Sequence, residues 1–194
     1  MESFFYSLDI RLLYFINHTL SHSVLDEIMP IMRHKLTWIP LYLFFIIHSF
    51  KKYNWMGLAV VGFGILAVVL ADQISSGLIK PYFQRPRPCN ADDLGAWLSL
   101  PNGIGHGWSF ISSHATNHFA LALYFAKTIS GRTCKKQIVY ALILWASLIA
   151  FAQVYIGFHY PSDVIIGGLI GALIGISMER LLLKLTRFSY PEKG

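Results

Sequence analysis

WMGLAVVGFGILAVVLADQISSGLIKPYFQRPRP, residues 55–88, decides the fold. From Trp55 to Ile79 the only charged side chain is Asp72. A helix of roughly 20 such residues crosses a bilayer. The run then breaks into Lys80-Pro-Tyr-Phe-Gln-Arg-Pro-Arg-Pro88, where prolines stiffen the chain as it leaves the helix and aim three cations in a limited set of directions. An apolar span ending in a stiff basic island predicts a membrane protein whose chemistry sits at the bilayer surface, where a charge costs far less than at the centre.

Working outward, further apolar runs lie at Leu36–Phe50, Ser113–Ile129, Gln137–Phe158 and Asp163–Leu185. With 55% hydrophobic and 13% charged residues among 194, and a mean hydropathy of +0.51, the composition excludes an ordinary soluble domain. The expected fold is an all-α integral membrane bundle of five transmembrane helices. Ser3 to Leu20 is aromatic and aliphatic but carries Asp9, Arg11 and His18. It has neither a basic start nor a small-residue cleavage site, so it reads as an amphipathic helix in the interface, with a sixth span as the alternative. The expected organisation is an amphipathic region at 1–34, a transmembrane core at 35–190 and a tail at 191–194.

Five spans put Lys51, Lys52, Lys127, Arg132, Lys135, Lys136, Arg180, Lys184, Arg187 and Lys193 on one side. The other side holds Arg11, Arg33, Lys35, Lys80, Arg85 and Arg87. The first set predicts the cytoplasmic face, which leaves the basic island on the outer one. This distribution of the net charge of +6 argues for membrane rather than nucleic acid as the partner. Cys89 and Cys134 fall on opposite sides and cannot pair within one chain. Gly167, Gly171 and Gly175 line one face of the last span; packing inside the bundle is the main expectation, a homodimer through this helix the other. Asp72, about 12 Å along the axis from Lys80, is expected to face the bundle interior and bond Ser75 or Ser76.

Two more polar islands share the outer side. Ser109-Phe-Ile-Ser-Ser-His114 opens the third span, where a helix N-terminus offers unpaired N–H groups to an anion. Ser112 or Ser113 can cap that helix, and His114 projects from its first turn as a proton donor. Gln153-Val-Tyr-Ile-Gly-Phe-His159-Tyr-Pro-Ser-Asp163 joins the last two spans. His and Asp four apart around a proline turn can set a carboxylate on one imidazole nitrogen and leave the other as a nucleophile. A basic girdle, a helix cap and a polar turn would explain these islands singly. Together they supply what phosphoryl transfer without a metal requires.

In order and spacing the islands resemble the membrane type-2 phosphatidic acid phosphatases, the lipid phosphate phosphatase superfamily. Its Lys-x6-Arg-Pro motif is matched by Lys80, Arg87 and Pro88. Pro-Ser-Gly-His is matched at Ser112 and His114, with Ile111 and Ser113 replacing Pro and Gly. Ser-Arg-x5-His-x3-Asp is matched at His159 and Asp163, with Ala152 and Gln153 replacing Ser and Arg. The resemblance implies a phosphohistidine at His159, orientation by Asp163, proton donation by His114, and phosphate binding by Lys80, Arg87 and the Ser112–Ser113 backbone, with no metal or cofactor. Gln153 can donate a hydrogen bond but no charge, and Arg85 is the candidate to supply it.

A lipid-phosphate binder without activity has no need of His114, His159 and Asp163 together. A metal hydrolase could use His114 and His118 at i and i+4, but the Glu of His-Glu-x-x-His is missing and the adjacent cations suit phosphate. A transporter would need more ionisable groups at depth than Asp72. The expectation is therefore an outward-facing enzyme of a bacterial inner membrane. Its substrate is a lipid phosphomonoester or diphosphate: a prenyl diphosphate, phosphatidylglycerophosphate or a lipid A phosphate.

Overall fold

The computed structural model describes residues 4–91, 94–95, 97–131, 135–186 and 190. Cys134 and the tail at 191–194 lie outside them. The described elements are helices: α1 (Phe4–Leu13), α2 (Ser23–Arg33), α3 (Ile39–Tyr53), α4 (Met56–Asp72), α5 (Lys80–Phe83), α6 (Ser113–Ser130), α7 (Lys136–Tyr155) and α8 (Pro161–Thr186). A π-helical stretch, Gln73–Ile79, carries α4 into α5, and another, Tyr14–Thr19, extends α1. Local chemistry sets several ends. Pro40 and Pro161 occupy first turns, where no N–H partner is lost. Asn54 and Gln84 take positive φ just past α3 and α5. Ser112 caps α6 by accepting from Ala115 N, and Gly131 ends it at φ 60°.

Three stretches among the described residues are long and apolar enough to cross a bilayer: Met56–Asn90, Lys136–Tyr155 and Pro161–Thr186. The two other expected spans differ for separate reasons. At 15 residues α3 is about 22 Å long, short of the roughly 30 Å hydrocarbon thickness. The 18 residues of α6 include Ser113, His114, Thr116, Asn117 and His118. It tolerates them because it is the central helix, packed against α3, α4, α7 and α8.

The glycine face of α8 is what lets α6 sit there. A Cβ on Gly171 or Gly175 would strike the carbonyl oxygens of Thr116 and Ala120, and one on Gly167 would lie 2.9 Å from the Ser112 carbonyl. That face is filled inside the chain by α6. Phe45 stacks on Phe125 at 4.2 Å, with Trp145 edge-on, closing the core beside α3. Asp72 Oδ1 accepts from Asn117 Nδ2 at 3.3 Å, and its carbonyl accepts from Ser75 Oγ.

The N-terminal region forms two helices, α1 and α2, docked onto the bundle. Asn17 is fully buried, donating to the Tyr155 and Ser99 carbonyls and accepting from Ser99 N. Asp9 accepts from Ser162 N at 2.8 Å. Met29 on α2 packs with Ala152, Tyr155, Ile156 and Phe158 at the end of α7.

Candidate active site

One end of the bundle collects all three polar islands. The turn after α7 brings them together. Gly157, at φ 74°, has no room for a Cβ, which would meet Leu100 at 2.9 Å. Its carbonyl accepts from Cys89 N at 3.1 Å, which pins the Arg-Pro-Cys segment against the turn carrying His159. Ser112 N donates to the Asp163 carbonyl at 3.1 Å, which fastens the start of α6 to the start of α8.

His159 is buried, with its two nitrogens in different surroundings. Nδ1 lies 3.5 Å from Asp163 Oδ2 and 3.4 Å from Ser109 Oγ. Nε2 lies 3.3 Å from Arg87 Nη1. Burial, and then the charges of Arg87 and Lys80, outweigh the pull of Asp163 and hold the imidazole down at about 4, so it is neutral at physiological pH. A neutral ring with Nδ1–H toward the carboxylate leaves the Nε2 lone pair facing the cations. That is the state a nitrogen nucleophile needs.

Asp163, fully buried, is held by more than the histidine. Oδ1 accepts from Arg85 Nη1 at 2.8 Å; Oδ2 accepts from Tyr160 N at 2.9 Å and from Ser109 Oγ. Arg85 also donates through Nη2 to Asp9 at 2.7 Å and through Nη1 to Ser162 Oγ, and lies 3.7 Å over the Tyr160 ring. Its donors serve carboxylates, so the structure does not place it where it could supply the charge missing at Gln153. Gln153 is itself fully buried, and neither amide atom has a hydrogen-bond partner among the described residues.

Lys80 Nζ donates to the Trp108 carbonyl at 2.7 Å and the Ser109 carbonyl at 3.2 Å. Arg87 is braced through Nε by the His106 and Gly107 carbonyls and through Nη1 by the Phe158 carbonyl. Ser112 Oγ caps α6, and Ser113 Oγ pairs with Ser76 Oγ at 2.8 Å, so these two offer an anion mainly their helix terminus. His114 is half-buried and close enough for the charges of Arg33 and Arg87 to act on it. His118 has both nitrogens engaged, Nδ1 with the His114 carbonyl and Nε2 with Tyr42 Oη, and packs on Trp145.

Three contributors were not picked out from the sequence. Ser109 lies inside the second island but its bond to Asp163 spans 54 positions. Asp9 had one signal, an acid in an aromatic helix. Arg33 had none beyond its charge.

A family model described as the PAP2 superfamily matches residues 57–187. The chain belongs to the PAP2 superfamily. It is 30% identical to a lipid A 4'-phosphatase of Bacteroides thetaiotaomicron over 96% of this chain and 82% of that one. It is also 30% identical to a lipid A 4'-phosphatase of Porphyromonas gingivalis, over 84% and 68%. The fold matches the crystal structure of a transmembrane PAP2 type phosphatidylglycerolphosphate phosphatase from Bacillus subtilis, with TM-score 0.75 at 22% identity, covering 96% of this chain and 90% of that one. This PAP2 chain is thus an integral membrane phosphatase, and its three polar islands lie together at one end of the helices.

Proposed function

We propose that this PAP2 enzyme hydrolyses a lipid phosphate through a phosphohistidine on His159. The observation that carries the reading is the polarity of that imidazole: Nδ1 toward Asp163 and Ser109, Nε2 toward Arg87. The Nε2 lone pair attacks phosphorus and the bond to the lipid oxygen breaks, with His114 giving that oxygen its proton. Water then attacks the phosphohistidine, His114 takes the water's proton, and the P–N bond breaks to release phosphate. Around His114 the structure supplies neutral or positive neighbours, so the negative charge that favours its imidazolium comes with the bound phosphate itself. Lys80, Arg87 and the first turn of α6 bear the charge on the non-bridging oxygens, and most of the acceleration comes from this fixed polarity.

The lipid part has a place to lie. An apolar groove of about 390 Å³ between α3, α4 and α6 is lined by Tyr42, Phe45, Val61, Ile65, Leu121 and Phe125, and reaches His118, one turn from His114. The two lipid A 4'-phosphatase relatives align along most of both chains, which favours a lipid A type phosphomonoester over a prenyl diphosphate or phosphatidylglycerophosphate. We place the enzyme in a bacterial inner membrane with the site on the periplasmic face.

Phosphate release from these three substrate classes, with chelator present, tests the reading on wild type and His159→Ala. Turnover that survives chelation and disappears in the variant is the expected result. Activity retained in His159→Ala would remove the phosphohistidine, and activity abolished by chelation would reinstate a metal.

A further inference from the structure

The family pattern puts an arginine where this chain has Gln153, so one positive charge is missing from the cradle, and Arg85 is spent on Asp9 and Asp163. We propose that Arg33, at the end of α2, binds the substrate's phosphate oxygens in place of that arginine. The proposal rests on the phosphatase reading above and adds a ligand from a segment that lies outside the residues 57–187 matched by the family.

Geometry comes first. The Arg33 guanidinium lies 4.6 Å over the ring of Phe158, the residue before the nucleophile. The Arg87 guanidinium lies 5.6 Å from the same ring. Gly105 lets this cluster close, since a Cβ there would sit 3.2 Å from Arg87 Cδ and 3.3 Å from the Phe158 ring. The position of Arg33 is fixed by its helix. Met29 packs on Tyr155, Ile156 and Phe158, and Tyr155 Oη donates to Asp26 Oδ1 at 2.7 Å, on the turn before.

Charge comes second. Arg85 has two carboxylates; among the described residues Arg33 has neither a carboxylate partner nor a hydrogen-bond acceptor, although its Nε is buried. Burial and the nearby charge of Arg87 both act against the Arg33 cation. Two guanidinium groups share the Phe158 ring while Asp163, the nearby carboxylate, is already paired with Arg85, so positive charge is left for an anion to balance. A phosphate dianion is such a partner, and arginine's planar fork suits its oxygens. A cation in the last turn of a helix also complements the helix dipole, which needs only charge and no particular reach. The test therefore separates charge from placement.

The full-length protein in detergent is assayed on short-chain phosphatidic acid and farnesyl diphosphate, and orthovanadate binding is read as a rise in melting temperature. Arg33→Gln is expected to lower kcat/KM by about 100-fold, the scale for losing one donor to a developing oxyanion, and to reduce the vanadate shift. Arg33→Lys is expected to recover only part of both. Adding Gln153→Arg to Arg33→Gln is expected to restore both, because it returns the charge from the family's position. Melting without vanadate checks that each variant is folded; should Arg33→Gln unfold, Arg33→Lys decides on the same two readouts. Wild-type levels of both readouts in Arg33→Gln, or in Arg33→Lys where it decides, would overturn the proposal. A wild type that turns over neither substrate yet loses its vanadate shift with Arg33 would remove the phosphatase reading on these probes and leave the anion site standing.

Discussion

Asp163 has its oxygens occupied from three directions before His159 is counted: Arg85, Ser109 and the Tyr160 N–H. A carboxylate fixed this firmly orients the imidazole without being able to swing toward the substrate. On the proposed mechanism Arg85 acts as a positioning residue, and its removal has a signature different from that of a phosphate ligand. Arg85→Ala strips a buried carboxylate of its counter-charge. It should destabilise the protein by about 2–4 kcal/mol, below the cost for a fully buried pair because the Arg85 side chain keeps 22% of its exposure. In the protein that remains folded, kcat should fall about tenfold or more while KM changes little, since the loss is of orientation and not of substrate contact. Steady-state kinetics with a parallel melting curve read both effects. A raised KM at unchanged kcat would put Arg85 back on the phosphate.

At the scale of elements, the α6–α8 contact holds the site together, because Ser112 and Asp163 lie at its upper end and Gly167, Gly171 and Gly175 run down it. Gly171→Val forces the two helices apart at Thr116, one turn below Ser112. The expected cost is about 1–3 kcal/mol, the range for overpacking a tight interior. Activity should drop further than that stability loss explains, because the Ser112–Asp163 bond shifts with the helix. Ala and Val at the exposed Gly62, where a Cβ meets nothing within 4 Å, are the matched controls for melting and activity. The same contrast explains what was legible in the sequence. Lys80, Arg87, Ser112, His114, His159 and Asp163 stand out because each sits at the border of an apolar run, a local signal. The cores of α4, α7 and α8 were equally plain from their hydropathy. The partners of Arg85, Asp9 and Asp163, are not legible in the sequence because they lie 76 and 78 positions away. Asn17 and Arg33 escaped for the same reason: Asn17 meets Tyr155 across 138 positions, and no short-range pattern encodes that contact.

Across the whole molecule the chain alternates between two ends. At one lie Asp9, Arg87, Ser109, His159 and Ser162. At the other, Lys52 donates to the Ile129 carbonyl at 2.6 Å and Tyr53 lies beside Tyr190, which gathers the turns after α3 and α6 with the chain beyond α8. This second end also carries Lys51, Lys127, Lys135, Lys136 and Lys184, so these basic residues and the candidate site occupy opposite poles. If basic residues mark the cytoplasmic side, as they do in most membrane proteins, the proposed site faces outward, and this orientation is open to a labelling test. Trp55, 89% exposed at the α3–α4 turn, and Ile104, 63% exposed in the loop beside Arg87, report the two poles. In a chain with Cys89 and Cys134 replaced by alanine, Ile104→Cys should react with a membrane-impermeant maleimide in intact spheroplasts, and Trp55→Cys only after lysis. The opposite pattern would turn the site to the cytoplasm and require the substrate to be presented on the inner leaflet. Labelling of both in intact spheroplasts would mean that the stretch between them does not cross, against the hydropathy of Met56–Asn90.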